Sequence, residues 1–131
     1  MDNRFGGIAR LYGQSGLEKF QQSHVCVVGV GGVGSWVAEA LARSGIGKIT
    51  LIDPDEVSES NINRQLVALE STIGKGKCDV LVERIADINP ECQVEVIEDL
   101  LKPDNTRELI GTEFDYVVDA IDSARSKAAL I

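Results

Sequence analysis

The sequence lacks the features of exported, membrane-spanning and disulfide-rich proteins. Its three cysteines, Cys26, Cys78 and Cys92, form neither a Cys-x-x-Cys pair nor an even set. Glycine or a charged residue interrupts every apolar run within a few residues, so no segment reaches the length of a membrane span. No apolar signal region follows residues 1–4. We therefore expect a reduced, cytoplasmic protein with no membrane association in this part of the chain.

Basic residues are also scarce. Lysine and arginine number 13 against 21 aspartate and glutamate residues, for a formal net charge of -8. Such an acidic surface repels nucleic-acid phosphates, which makes this part of the chain a poor candidate for the main nucleic-acid contact. Basic residues near a possible binding site, such as Arg64 and Lys77, are therefore more informative than they would be in a basic protein.

Apolar β-branched runs alternate with segments of helical periodicity along the chain. Strands are predicted over residues 24–28, 48–52, 93–96 and 114–120, and helices over 15–22, from the glycine stretch to residue 45, over 77–89 and 104–110, and from 123 onwards. Residues 54–76 are less regular and predict a loop with short helical turns. Alternating strands and helices predict an α/β fold with a Rossmann-like open, mostly parallel sheet and helices on both faces.

The length of 131 residues suits one domain, preceded by a helical segment at about residues 1–23. The sequence stops inside an apolar helical stretch, residues 127–131, with neither a cap nor a tail. We expect residues 1–131 to be the N-terminal half of a longer enzyme, whose C-terminal part is absent from this sequence.

A glycine motif follows the first predicted strand. In Gly29-x-Gly31-x-x-Gly34 the first glycine permits a tight turn, the second lets phosphate approach the backbone, and the third lets the helix pack closely on the strand. Asp53 ends the second strand, 19 residues after Gly34, where an acid can bond a ribose hydroxyl. A turn that binds nothing would not require this acid, so the joint pattern indicates a nucleotide site.

The glycines and Asp53 do not distinguish ATP from NAD. Asn61 and Arg64 lie just past the acid, however, and Lys77 begins the next helix. A triphosphate that loses pyrophosphate develops charge that fixed cations stabilise, whereas NAD needs no such pair. Each cation could instead be an ordinary surface charge, although lysine is mildly unfavourable in the first turn of a helix. Together the two cations favour ATP.

Two carboxylates follow the fourth predicted strand, again at the edge where ligands bind. Asp119 and Asp122 are three residues apart and could hold Mg²⁺ through phosphate oxygens and water. One of the two could simply cap the following helix. We assign the structural role to Asp119 and the metal to Asp122.

These residues together resemble the ubiquitin-activating-enzyme-like (ThiF/MoeB/HesA) adenylation superfamily. The matching positions, which we expect to line the nucleotide site, are Gly29, Gly31, Gly32, Gly34, Asp53, Asp55, Asn61, Arg64, Gln65, Lys77 and Asp122. The resemblance implies that the Asp53 equivalent binds ribose, that the Asn61, Arg64 and Lys77 equivalents contact phosphates, and that the Asp122 equivalent supports Mg²⁺. It makes Arg64, Lys77 and Asp122 the candidate catalytic residues.

Four further segments are similar to the branch of this superfamily that dehydrates threonylcarbamoyladenosine in tRNA. They are residues 4–13 (RFGGIARLYG), 40–47 (ALARSGIG), 88–92 (INPEC) and 119–123 (DAIDS). The resemblance implies an ATP- and Mg²⁺-dependent enzyme that converts the modified nucleoside to a cyclic form through an acyl-adenylate, with the modified tRNA as its partner.

The resemblance also implies a homodimer and a cysteine-desulfurase or sulfur-acceptor system as a partner. Several relatives carry an N-terminal arginine that reaches the partner subunit's ATP; the alignment places Gly7 at that position, and Arg10 is the nearest arginine. The family's cysteine-bearing and substrate-side region falls beyond Ile131.

Three other functions are compatible with the sequence. The chain could belong to an adenylyltransferase that activates the C-terminal glycine of a sulfur-carrier protein, and only the absent half separates the two branches sharply. An NAD-dependent oxidoreductase fits the glycines and Asp53 but leaves Arg64 and Lys77 unexplained. A non-catalytic partner subunit would have no need to keep the phosphate-binding residues.

Overall fold

The strands of the protein pair side by side in one parallel sheet. The structure is a computed structural model that describes residues 3–98 and 114–120. Its helices and strands are α1 (Gly6–Gln22), β1 (His24–Val28), α2 (Gly32–Arg43), β2 (Lys48–Ile52), α3 (Lys77–Ile88), β3 (Gln93–Ile97) and β4 (Tyr116–Asp119). Short 3-10 turns lie at Asn3–Phe5, Glu59–Asn61 and Glu70–Thr72. This arrangement confirms the predicted open α/β fold.

The strand order places β1 at a switch point. The sheet runs β3-β2-β1-β4, and β1 pairs in parallel with both β2 and β4. The chain therefore extends from β1 to one side and later returns to its other side. In open α/β sheets ligands bind beyond the carboxyl ends of the strands at such a point, which here is the glycine stretch after Val28.

One face of the sheet carries the main core. Val25 and Val27 of β1, with Ile49 and Leu51 of β2, pack in a cluster with helix residues. The helix residues in this cluster include Ala38, Ala42, Leu81 and Ile85, which belong to α2 and α3. On the opposite face Cys26, Val28 and Ile52 form a second buried cluster. The helices predicted over 104–110 and from 123 onwards lie outside the described residues.

A buried carboxylate ties the two core helices together. Glu39 of α2 accepts a hydrogen bond from Arg84 Nε of α3. It also pairs with Arg43 Nε at 3.7 Å, one turn along its own helix. The side chain of Glu39 is 10% exposed, so the two arginines supply the partners that a largely buried carboxylate requires.

The first helix begins earlier than the prediction of residues 15–22. It spans Gly6–Gln22 but leaves helical geometry at Gly13 (φ 77°, ψ 165°), so it consists of two helical pieces. Glycine disfavours helix, which explains why the first piece lacks a sequence signal. Buried Phe5 and Leu17 hold the segment by packing at Gly45, where an added Cβ would lie 3.7 and 3.1 Å from them. Tertiary packing thus overrides local propensity here.

The other element boundaries differ by one or two residues. Helix α3 ends at Ile88, before the predicted Asn89, and β3 extends to Ile97. Strand β4 covers Tyr116–Asp119, within the predicted 114–120. Among the described helices, none combines the length and apolar character needed to cross a membrane.

Two of the three cysteines are core residues. No disulfide joins the three, all of which lie in the described part of the chain, and Cys26 and Cys78 are buried while Cys92 is half-buried. Burial, with the negative charge of Asp53 as a second cause, raises the pKa of the Cys78 thiol to about 12. Burial alone raises the pKa of Cys92 to about 11. The thiols of Cys78 and Cys92 are therefore protonated at neutral pH and are poor nucleophiles.

Gly34 provides a test of the packing between α2 and the turn after β1. An ideal Cβ at Gly34 would lie 1.7 Å from the carbonyl oxygen of Gly29, whereas one at Gly32 would meet nothing nearer than 3.9 Å. Gly34→Ala should therefore lower the free energy of unfolding by roughly 3 kcal/mol, because backbone must move. Gly32→Ala, in the same helix, should leave it nearly unchanged. Denaturant unfolding of both variants measures the difference, and equal stabilities would contradict this packing.

Candidate nucleotide site

The glycine stretch makes a tight turn between β1 and α2. Gly29 has φ 91°, a conformation that favours glycine, and its N–H donates to the carbonyl of Ile52 at the end of β2 (2.9 Å). Because Gly34 has no side chain, α2 rests directly on the Gly29 carbonyl. The first and third glycines thus have the conformational and packing roles that the motif predicts.

The N-terminus of α2 is open. Gly31 is its N-cap residue, and no side chain among residues 3–98 and 114–120 caps this end of the helix. An added Cβ on Gly32 would meet only the Arg64 carbonyl oxygen, at 3.9 Å, so the backbone there is accessible. Uncapped amides at a helix N-terminus, together with the helix dipole, attract an anion.

Buried Asp53 joins the glycine turn to the loop that follows β2. Its Oδ2 accepts from the N–H of Val30 (2.7 Å), and its Oδ1 accepts from the N–H of Asp55 (2.8 Å). A carboxylate has about four acceptor positions, so these two bonds leave capacity for a ribose hydroxyl. Asp53 therefore has a structural role that the sequence did not reveal, in addition to the expected binding role.

Asn61 organises the turn that carries Arg64 and Gln65. Its side-chain Oδ1 accepts from the N–H and hydroxyl of Ser58 (2.9 and 3.0 Å), and its carbonyl accepts from the N–H groups of Arg64 (3.2 Å) and Gln65 (2.9 Å). Asn61 itself is buried. Its oxygen atoms are thus used within the protein, and its side-chain amide nitrogen is the group left to face a ligand.

Arg64 is exposed and bonded locally. Its Nη1 donates to the carbonyl of Ser60 and to Oδ1 of Asn63, both at 3.1 Å. In the described part of the chain the Arg64 guanidinium forms no ion pair. The structure therefore places its backbone beside the glycine turn, while its charged group points to the exposed side of the loop.

Gln65 lies against the glycine turn with an unpaired oxygen. Its side chain is buried, and an added Cβ on Gly31 would be 3.6 Å from its Nε2. Its Oε1 is buried and has no hydrogen-bond partner among the described residues. An unsatisfied buried amide oxygen costs about 1–3 kcal/mol, so a ligand with a donor group would relieve that cost. This polar atom beside open glycine backbone fits a nucleotide site.

Lys77 is a buried cation at the same edge of the sheet. Only 7% of its side chain is exposed, and its Nζ lies 3.8 Å from Oδ2 of Asp55. Its backbone N–H donates to the carbonyl of Asp55 (3.0 Å). Through Asp55 and Asp53, Lys77 is therefore linked to the glycine turn by an unbroken series of contacts.

The expected metal residue cannot be placed. Asp122 lies outside the described residues, while Asp119 ends β4 in register with Val28. Across residues 3–98 and 114–120, no three histidine, cysteine or acidic side chains are grouped as a metal site would require.

Two serines contribute to the site without having been singled out from the sequence. The Ser35 hydroxyl, fully buried, donates to the carbonyl of Gly31 (2.5 Å) and so fixes the turn. Ser58 holds Asn61 from the other side. A serine four residues after a glycine at a helix start could have indicated such a bond to the backbone.

Comparisons with known proteins agree with this geometry. The chain is 58% identical over 128 residues to the tRNA threonylcarbamoyladenosine dehydratase of Escherichia coli, covering 98% of this chain and 48% of that protein. A crystal structure of the E. coli dehydratase in complex with ATP superposes with a TM-score of 0.96 at 58% identity, covering 98% of this chain and 53% of that one. A probable molybdopterin-synthase adenylyltransferase of Porphyra purpurea is 37% identical over 112 residues, covering 86% of this chain and 29% of that protein.

The chain spans about half the length of the dehydratases that it matches. The model of the ThiF family matches residues 6–131, nearly the whole sequence. The superfamily resemblance inferred from the glycine turn, Asp53, Arg64 and Lys77 is therefore confirmed: the chain belongs to the ThiF family.

Proposed function

We propose that residues 1–131 form the nucleotide-binding adenylation domain of an enzyme that uses ATP to activate a carboxylate. The observation that carries this proposal is buried Lys77, linked through Asp55 and Asp53 to the open glycine turn. A buried ammonium beside an anion-attracting helix end suits a polyphosphate. An NAD-dependent oxidoreductase has no evident use for this cation, and the family match does not support that class.

The site residues have complementary roles in binding ATP. We place the ribose at Asp53, which retains acceptor capacity, and the phosphates at the N-terminus of α2 beside Gly31 and Gly32. The remaining candidate binding residues follow β2 along the chain; they are Asn61, Arg64, Gln65 and Lys77. The E. coli relative crystallised with ATP supports ATP as the nucleotide.

The reaction that we propose is dehydration of threonylcarbamoyladenosine in tRNA. The carboxylate of the modified nucleoside attacks the α-phosphorus of ATP, the new O–P bond forms, and the bond to the β-phosphate breaks to release pyrophosphate. Internal attack on the activated carbonyl then closes a ring and releases AMP. Arg64 and Lys77 would stabilise the charge that develops on the departing pyrophosphate. For Arg64 this requires its guanidinium to turn from Ser60 and Asn63 towards the phosphates.

Magnesium is part of the proposal. When bound, Mg²⁺ would neutralise phosphate charge and orient the triphosphate. We propose Asp122 as its protein ligand, with Asp119 in a structural role. The open acceptor positions of Asp53 and the nearby cations Arg64 and Lys77 fit a nucleotide that arrives with its own metal ion.

A sulfur-carrier adenylyltransferase is the second candidate function. Both functions begin with the same attack of a carboxylate on ATP, so the nucleotide site fits either. The dehydratase has the stronger support, since the chain is 58% identical to a dehydratase and 37% identical to a probable adenylyltransferase. A non-catalytic partner subunit would not need the buried Lys77 to be held beside the glycine turn.

Assembly and location are further parts of the proposal. We propose a cytoplasmic homodimer, with a cysteine-desulfurase or sulfur-acceptor system as a second partner by family resemblance. Large apolar side chains are exposed on three elements, which favours association with further protein; they are Leu11, Trp36 and Tyr116. Arg10, exposed on α1, is the candidate for reaching a partner subunit's ATP. A monomer in sedimentation velocity of the full-length protein would contradict the dimer.

Substitutions should separate binding from chemistry. Asp53→Ala should weaken ATP binding broadly, because ribose contacts are the same in ground and transition states. Arg64→Ala and Lys77→Ala should instead slow adenylate formation roughly ten- to a thousandfold. Lys75→Ala is the matched control, since Lys75 is an exposed lysine two residues before Lys77.

The measurements are calorimetric titration and ATP–pyrophosphate exchange with the full-length protein. Wild type should prefer ATP with Mg²⁺ over NAD. A preference for NAD would rule out adenylation, and unchanged turnover in both cation variants would mean that the phosphates lie elsewhere.

The substrate can be identified by mass. Full-length protein, ATP and Mg²⁺ incubated with tRNA bearing threonylcarbamoyladenosine should remove one water from that nucleoside, as seen by nucleoside mass spectrometry. Since the net charge of this chain is -8, other residues or a dimer partner must supply the basic tRNA surface, and tRNA binding should weaken steeply with salt. No mass change, with exchange stimulated by a carrier protein ending in Gly-Gly, would favour the second candidate.

A further inference from the structure

Lys77 has an unusual set of neighbours for a buried cation. A buried ammonium normally requires a paired charge and hydrogen bonds. Its ion-pair partner in the described residues is Asp55, and the 3.8 Å separation of Nζ and Oδ2 is too long for a hydrogen bond. The ammonium is thus attracted by a carboxylate without being tightly bound to it.

Asp55, in contrast, is held firmly by its backbone. Its N–H donates to Asp53 and its carbonyl accepts from Lys77. The next residue, Glu56, forms an antiparallel bridge with Gly76, and the N–H of Val57 donates to the carbonyl of Lys75 (2.8 Å). The Asp55 carboxylate is nevertheless 67% exposed. Its position is therefore fixed beside Lys77, while its outer side is open to an incoming ligand.

We propose that Asp55 is a positioning residue that holds the Lys77 ammonium at the site before ATP arrives and releases it to the phosphate oxygens on binding. This inference rests on the proposed ATP function. The sequence resemblance makes Asp55 one of the residues that line the nucleotide site. In this proposal Asp55 acts through Lys77 and does not contact the nucleotide itself. It also competes with ATP for the same cation, since the ammonium must leave the carboxylate to meet the phosphates.

Because Asp55 competes with ATP for the ammonium, removing its charge should strengthen ATP binding, whereas loss of a residue near a binding site usually weakens it. Asp55→Asn keeps both backbone hydrogen bonds but removes the competing charge. ATP should therefore bind more tightly, with Kd lowered roughly two- to fivefold, the range expected for a pair with one exposed partner. The change should be smaller for AMP, which lacks the β- and γ-phosphates. Asp55→Glu, which retains the competing charge, should not show this tightening.

The experiment is calorimetric titration of the full-length protein with ATP and with AMP. Glu56→Gln is the matched control, because it removes an adjacent exposed acid that has no ion pair in the described structure. Asp55→Asn should also be made in a Lys77→Met background, where the ammonium is gone but an apolar stem remains. There the substitution should no longer change ATP affinity.

Each other outcome counts against the inference. Weaker ATP binding by Asp55→Asn would make Asp55 a direct ligand, and unchanged binding would make it a plain surface charge. Tightening that persists with Lys77→Met, or that Glu56→Gln reproduces, would indicate a general effect of net charge. If wild-type protein does not bind ATP, the proposed function fails instead, so the two failures can be told apart.

Discussion

The carboxylate of Asp53 is the group on which the site depends. By accepting from Val30 and from Asp55, it joins the turn after β1 to the loop after β2. These two segments follow neighbouring strands, so the parallel sheet brings them together, and the carboxylate adds two hydrogen bonds that fix their relative position. An unpaired buried N–H is costly, and both amides depend on the same side chain. The residue that we propose to bind ribose thus also shapes its surroundings.

The limits of the strands could be predicted from the sequence more closely than those of the first helix. Strands β1 and β2 have the predicted limits, residues 24–28 and 48–52, because buried parallel strands are continuous apolar runs with clear ends. The limits of α1 were predicted less closely, as a helical segment at about residues 1–23 with a distinct helix only over 15–22, because packing of Phe5 and Leu17 at Gly45 stabilises a glycine-rich first piece that propensity disfavours. Local signals are thus sufficient where burial is continuous along the chain.

The sequence indicated which residues belong to the candidate site, but it did not indicate which of them contact one another. The glycine spacing and the acid 19 residues later carry known geometric requirements, so Gly29, Gly34 and Asp53 could be placed in advance. The loop over residues 54–76 has no repeating pattern, and its shape comes from individual hydrogen bonds such as those of Asn61. The Gln65 side-chain oxygen without a hydrogen-bond partner among the described residues, and the pairing of Asp55 with Lys77, both result from this irregular backbone. Neither could be predicted from a repeating pattern in the sequence.

The contact between Glu39 and Arg84 has a consequence for the thermodynamics of binding. It fastens α2 to α3, and both helices begin at the carboxyl edge of the sheet, one at the glycine turn and the other at Lys77. Two groups that attract anions are therefore kept at a set spacing when no ligand is bound. Because folding has already ordered both helices, a ligand that spans them does not have to order either one. The conformational entropy of these helices is therefore lost on folding and not on binding. Loosening this helix pair far from the ligand would thus weaken binding without altering any contact to it.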